Sequence, residues 1–148
     1  ATWTPVAHSA MFGQTIRSAL VVRSGDGSNT ARWHTVMEQA GFYEVYVYIP
    51  VSAMLGGSSG RGRGEGRGMG GGGRSGGPEF ADRGTVYHYS VASNEGTEEV
   101  EFTLDRPEDG WNLLGTFHFP ADTAEVTLTN NTNGSRVVAD AVKWVPRE

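Results

Sequence analysis

Apolar and polar residues alternate along most of this chain with the two-residue period of a β-strand. No segment shows a long 3.6-residue apolar period with capping residues, so we expect no substantial helix. The alternating segments number about nine, and outside one glycine tract they recur about every ten residues. This spacing predicts an all-β sandwich or barrel. The segments are a short strand within residues 1–17, and then residues 18–23, 30–37, 42–49, 84–91, 100–104, 110–119, 124–129 and 137–145.

Residues 42–49 (FYEVYVYI) form the clearest predicted strand. One face carries Tyr43 followed by three aliphatic residues, and we expect this face to lie in the core. The other face carries a carboxylate and two phenol rings, at Glu44, Tyr46 and Tyr48. This second face is either a half-exposed sheet surface covered by amphipathic rings or a stacking platform for a sugar ring.

Residues 110–119 (GWNLLGTFHF) predict a second long strand, which follows a turn signal and ends before a proline. Strict alternation places Phe117 and Phe119 on the core side together with Leu113. The same alternation places Leu114 on the opposite side of the strand.

Trp111 and Asn112 lie at the mouth of this strand. A ring and an amide in such a place can form a wall or a binding surface, because sugars stack on aromatic faces and amides bind their hydroxyls. With Tyr87 and Trp33, these two residues are the candidate ligand-binding residues. The alternative for both tryptophans is a role in the core or in anchoring a loop.

Residues 137–145 predict one final strand, with Asp140 near its centre and pointing inward. A buried carboxylate must be hydrogen-bonded or bound to a cation. Asp140 therefore accepts a structural hydrogen bond from a turn or serves as a ligand of a structural Ca²⁺ ion, which prefers oxygen ligands. No acidic cluster near the start of the chain completes such a calcium site, and we expect no other cofactor.

The segment NNTNG at residues 130–134 predicts a tight hairpin turn, because Asn-Gly favours the backbone of two-residue turns. Two glycosylation sequons begin at Asn130 and Asn133. We interpret both as incidental, since asparagine is present there for the turn.

Composition narrows the class of protein further. A length of 148 residues predicts a single domain that buries a core without disulfides, and the chain has no cysteine. A net charge of −5 argues against nucleic acid as a partner, and no apolar segment is long enough to span a membrane. The chain starts at an alanine, which fits a processed product or an excised module.

Residues 56–77 contain 13 glycines and four arginines among 22 residues. Such a segment cannot bury a core, so we expect a long flexible loop inserted between two strands. Its four arginines and one glutamate give it a charge of +3, which leaves −8 on the rest of the chain. This contrast permits the loop to dock on an acidic surface of its own or of a neighbouring molecule. Its matches to the GxSxG and GxGxxG motifs are expected by chance in so glycine-rich a segment.

Four motifs in order resemble the golvesin/xanthan-lyase carbohydrate-binding-like domain. They are AGFYEVYVYIP at 40–50, TVYHY at 85–89, GWNLLGTF at 110–117 and VADAVKWV at 138–145. The resemblance implies a jelly-roll β-sandwich, similar to carbohydrate-binding modules and attached to secreted or surface bacterial proteins. The chain departs from the family at residues 56–77, where the family has a short connection, and at residues 104–106, where it often has a VDQ segment.

Two functions remain open from the sequence. The first is a non-catalytic extracellular module that binds a polysaccharide or a cell-surface glycan, for attachment or adhesion. The second is a self-assembling subunit of an extracellular filament or matrix, in which residues 56–77 make the contacts between subunits. We do not expect an enzyme, because the acidic residues that could hydrolyse a glycoside fit solvated faces and turns. Those residues are Glu98, Glu99, Glu101, Asp105, Glu108 and Asp109.

Overall fold

The computed structural model describes residues 2–7, 11–13, 18–50, 84–104 and 110–148. Within these residues the chain forms ten strands and no helix, so none of the described segments is a helix that could cross a membrane. The all-β prediction is confirmed. The strands are β1 (Thr4–Ala7), β2 (Ser18–Arg23), β3 (Thr30–Val36), β4 (Gly41–Ile49), β5 (Val86–Ser93), β6 (Gly96–Thr103), β7 (Gly110–Phe119), β8 (Thr123–Thr132), β9 (Arg136–Ala139) and β10 (Val142–Pro146).

The strands pair in three antiparallel sheets with the orders β3-β8-β5-β6, β1-β2-β9 and β10-β4-β7. The four-stranded sheet forms one layer of a β-sandwich. The two three-stranded sheets are joined where β9 passes into β10, and there the Tyr48 N–H donates to the Ala141 carbonyl at 2.8 Å. The chain therefore folds as the predicted sandwich.

The core follows the alternation in the sequence. On β4 the predicted inward residues Val45, Val47 and Ile49 are fully buried, and Tyr43 packs against them. The buried residues of all three sheets form one hydrophobic cluster. Its largest fully buried members are Tyr87, Phe119, Met11, Ile49, Leu104, Leu128, Val22, Val45, Val47, Val91 and Val126.

Strand β7 departs from strict alternation at a β-bulge. Val45 of β4 pairs with Gly115 and the next residue, Tyr46, pairs with Leu113, so Leu114 is an extra residue on β7. On the N-terminal side of the bulge, each residue of β7 therefore points to the face opposite to the one that strict alternation assigns to it. Leu114 is consequently buried and Leu113 is 50% exposed, the opposite of the sequence prediction.

The predicted final strand is two strands. β9 ends at Ala139 and pairs with β2, whereas β10 begins at Val142 and pairs with β4. Asp140 therefore lies in the break between them and not at a strand centre, so its predicted position was wrong. This break accounts for the tenth strand.

Strand β8 continues through the first three residues of the segment that was predicted to be a hairpin turn, and the chain bends at residues 133–135 before β9 begins. Asn130, inside β8, is 1% exposed, and its side-chain oxygen accepts hydrogen bonds from the N–H groups of Gly27 (3.0 Å) and Asn29 (3.3 Å). Its amide nitrogen donates to the Arg23 carbonyl at 3.3 Å. Asn130 thus holds the β2–β3 connection against β8, and its side chain is not available at the surface.

Strand β6 begins at Gly96, four residues before the predicted start, because the turn from β5 occupies only Asn94 and Glu95. The glycine- and arginine-rich segment 56–77 lies outside the described residues.

Gly115 provides a test of the packing on β7. A Cβ atom at this position would lie 2.8 Å from Cζ of Phe117, whose ring is buried. We expect Gly115→Ala to lower the free energy of unfolding by about 1 to 3 kcal/mol, because a well-packed core accommodates an added methyl group only by strain. Urea-induced unfolding measures this loss.

Gly41→Ala is the matched control, because a Cβ atom at Gly41 would meet no atom within 4 Å. If the two variants were equally stable, the packing of the Phe117 ring would not require a glycine at position 115.

Candidate functional site

The outward surface of the β10-β4-β7 sheet, called the aromatic face here, exposes apolar side chains. Of the five large hydrophobic side chains that are exposed in the described residues, three lie on this surface. They are Phe42 (57% exposed), Leu113 (50%) and Phe12 (49%). These exposed apolar side chains make this sheet surface the candidate interaction surface among the described residues.

Three rings form a cluster at one end of the aromatic face. Tyr48 and Trp111 are direct cross-strand partners, and their ring centroids lie 5.2 Å apart. The Phe12 ring contacts both, at 5.4 Å from Tyr48 and 5.3 Å from Trp111. The tilted and edge-to-face angles are those that aromatic quadrupoles favour.

The bulge at Leu114 produces this cluster. Counting back from the inward residues Phe117 and Gly115, strict alternation would direct Trp111 into the core. With the extra residue, Trp111 instead lies on the same side of the sheet as Tyr48. Gly110 precedes it with a φ of +103°, a conformation that side-chain-bearing residues rarely adopt.

Lys143, the chain's one lysine, lies beside the ring cluster. It pairs with Tyr46 across β10 and β4, and its Nζ lies 5.1 Å from the Tyr46 ring centroid and 4.5 Å from that of Trp111. Both distances are within the range of cation–π attraction. The ring cluster therefore carries a positive charge at its side.

A negative charge lies further along the same face. The Tyr46 hydroxyl donates to Oε2 of Glu44 at 2.8 Å, and this hydrogen bond raises the pKa of Tyr46 above its ordinary value. At the far end, the His118 and Phe42 rings meet edge to face at 5.0 Å. The aromatic face thus combines rings, one ammonium group, one carboxylate and one imidazole.

Asp140 fixes Phe12 in the cluster. Its Oδ2 accepts a hydrogen bond from the Phe12 N–H at 3.0 Å, and its carbonyl accepts one from the Trp33 indole at 3.2 Å. Burial raises the pKa of Asp140 to about 6, and the Phe12 N–H opposes this rise. Among the described residues, no three His, Asp or Glu side chains are placed to share a metal ion. The calcium role of Asp140 stays a prediction.

The structure separates the four predicted ligand-binding residues. Trp111 lies on the aromatic face. Asn112 pairs with the buried Val47, so it is directed to the other side of β7, and its Nδ2 donates to the Gly110 carbonyl at 3.2 Å. Trp33 is half-buried and lines a separate groove of about 390 Å³ beside Arg32 and Asp140.

Tyr87 is completely buried, and its hydroxyl accepts a hydrogen bond from the Val138 N–H at 3.0 Å. Its ring therefore offers no face to a ligand and belongs to the core. Sequence reasoning missed Phe12 and Lys143. Alternation with Trp144 could have placed Lys143 on an outward face, whereas nothing in the aperiodic first 17 residues indicates where Phe12 packs.

Fold and site together define a β-sandwich module with one aromatic outer face. Residues 77–146 match the Golvesin C-terminal domain family, which confirms the resemblance predicted from the four motifs. No curated protein sequence matches the chain.

Two solved structures share the fold. A xanthan lyase from Paenibacillus matches with a TM-score of 0.68 and 24% identity, over 99% of this chain and 11% of that one. A GH26-CBM35 β-(1,4)-mannanase from Podospora anserina matches with a TM-score of 0.50 and 13% identity, over 100% of this chain and 26% of that one. The chain therefore corresponds to a small part of either protein.

The raised pKa of Asp140 makes a prediction about stability and pH. The folded state holds the Asp140 proton more tightly than the unfolded chain, whose carboxyl has a pKa near 3.8. Its contribution to stability is therefore complete below about pH 4 and is lost as the pH rises through about 6. Asp140→Asn removes this titration and keeps an oxygen that can accept from Phe12.

We expect the free energy of unfolding of the wild type, minus that of Asp140→Asn, to increase as the pH falls from about 7 to about 4. Denaturant titrations across this range measure the difference, in which the other titrating groups cancel. A difference that does not change with pH would contradict the raised pKa.

Proposed function

We propose that this chain is a non-catalytic, carbohydrate-binding module of a secreted or surface bacterial protein, and that it binds a polysaccharide or a cell-surface glycan on its aromatic face. The observation that carries the proposal is the cluster of Phe12, Tyr48 and Trp111, directed outward by a bulge in β7. None of these three rings belongs to the hydrophobic core, since they lie on the outward side of the sheet.

The chemistry of the aromatic face suits a sugar. The apolar C–H faces of pyranose rings pack on aromatic side chains, and the ring hydroxyls exchange hydrogen bonds with charged or amide groups nearby. Glu44 and Lys143 supply an acceptor and a donor beside the rings. A sheet surface is flat, so it fits an extended chain of sugars better than a single enclosed one.

The comparisons support the same function. Two proteins that share the fold are named as enzymes, a xanthan lyase and a GH26-CBM35 mannanase, and this chain corresponds to a small part of each. A module that binds a glycan for a larger protein, without acting on it, fits this relationship. Function nevertheless depends on the site and not on the fold, so the aromatic face is what an experiment must test.

Removal of the central ring tests the proposal. We expect Trp111→Ala to weaken polysaccharide binding about tenfold, because the variant loses the central stacking ring and the contacts of that ring with Phe12 and Tyr48. Affinity electrophoresis through gels containing one polysaccharide each measures binding, and circular dichroism monitors the fold.

Val36→Ala is the matched control, since Val36 is 73% exposed on β3 in the opposite layer. Trp33→Phe tests the groove beside β3. If Trp33→Phe lost polysaccharide binding and Trp111→Ala kept it, the binding site would lie in that groove and not on the aromatic face.

A second function, a self-assembling subunit of an extracellular filament or matrix, is favoured by Phe42 and Leu113. Both are at least half exposed on the aromatic face, and Leu113 belongs to β7, an edge strand of its sheet in the described part of the chain. Exposed apolar groups on an edge strand promote association between copies.

Light scattering after size-exclusion chromatography separates the two functions. If the chain is an assembly subunit, we expect oligomers or filaments that dissociate in Leu113→Ser and when residues 56–77 are deleted. If the chain is only a binding module, the wild type, Leu113→Ser and the deletion variant are all monomers, and the self-assembly function is excluded.

A further inference from the structure

The single lysine of the chain has an unusual position. Lys143 lies on the aromatic face with its Nζ 4.5 Å from the centroid of the Trp111 ring. No carboxylate in the described parts of the chain lies within ion-pairing distance of Lys143. The ion pair found there joins His88 to Glu101 instead. Within the described residues, the positive charge of Lys143 therefore faces two aromatic rings and no carboxylate.

A neutral sugar that stacks on Trp111 must share the ring with this ammonium group or displace it. The cation–π attraction lost is similar in strength to the stacking gained, so a neutral ligand gains little from the exchange. A sugar that carries a carboxylate compensates for this loss, because the displaced ammonium pairs with the ligand in a charge-assisted hydrogen bond.

The charges of the aromatic face are also separated in space. Glu44 is one row further from Trp111 than Lys143, since the cross-strand rows run Tyr48–Trp111, then Lys143–Tyr46–Leu113, then Val145–Glu44–Thr116. Its carboxylate accepts the hydrogen bond of Tyr46. An acidic group beside Trp111 therefore meets the cation first, while hydroxyl groups of the same ligand can donate to Glu44.

From this arrangement we propose that the ligand of the aromatic face is an acidic polysaccharide, in which a uronic-acid residue stacks on Trp111 and places its carboxylate on Lys143. The inference rests on the proposed carbohydrate-binding function and names the class of glycan. It assigns Lys143 as the residue that distinguishes acidic from neutral chains.

Polygalacturonate and its fully methyl-esterified form are a matched pair of ligands, because esterification removes the charge and keeps the sugar backbone. We expect the wild type to bind polygalacturonate more tightly than the ester by about fivefold or more, and to lose this preference in high salt. Isothermal titration calorimetry measures both affinities, and a neutral galactomannan and a soluble cellulose derivative complete the panel.

Three variants assign the effect to one side chain. We expect Lys143→Gln to weaken polygalacturonate binding about fivefold and not to weaken binding of the ester, which no longer has to displace an ammonium group. Lys143→Arg should keep the preference because it keeps the charge. Arg32→Gln changes the net charge equally on β3 of the opposite layer and should have no effect. Thermal unfolding of each variant confirms that it is folded.

The outcomes separate this inference from the function on which it rests. Binding of neutral chains or of the ester as tightly as polygalacturonate, with Lys143→Gln unaffected, overturns the acidic-ligand inference and leaves the carbohydrate-binding function in place. Failure of the folded wild type to bind any polysaccharide of the panel overturns both. A polygalacturonate preference that disappears equally in Arg32→Gln shows a general charge effect and overturns the role of Lys143.

Discussion

The aromatic face depends on one irregularity in strand pairing, the extra residue Leu114 between the partners of Val45 and Tyr46. On the C-terminal side of this bulge β7 directs phenylalanines into the core, and on the N-terminal side it directs Trp111 outward. One strand thereby serves both the stability of the sandwich and its outer surface. Gly115 at the bulge leaves space for the Phe117 ring, so the same few residues satisfy both demands.

The two layers of the sandwich have different outer surfaces. The outward positions of the β3-β8-β5-β6 sheet are mostly hydroxyl-bearing and charged, with Arg32, Thr127, Thr129, His88 and Glu101 among them. Such a surface is well hydrated and needs no partner. The β10-β4-β7 sheet exposes rings instead, which costs solvation, and the proposed binding site is on this layer for that reason.

Regular alternation made most of the fold predictable, since β2, β3 and β4 lie within one residue of their predicted bounds. The bulge, the break at Asp140 and the extension of β8 through Asn130 were not predictable, because each depends on pairing with a distant strand and leaves no period in the local sequence. For the site, the sequence left Trp111 open between a binding ring and a core or loop-anchoring ring, and the bulge that directs it outward has no local signal. Tyr87 belongs to the core because its strand is central in its sheet. Phe12 is held in the cluster by a hydrogen bond to Asp140, which no sequence motif indicates.

The pairing of β2 with β9, β3 with β8 and β4 with β10 brings together strands from opposite ends of the chain. During synthesis on the ribosome, β2 and β3 have no partner from the C-terminal half until that half has emerged. Loop closure over so long a separation is slow, and strand edges that are still unpaired promote aggregation. The last strands of the module to be made, β8 to β10, are therefore the ones that close the sandwich, and the module can complete its folding only after β10 has been synthesised.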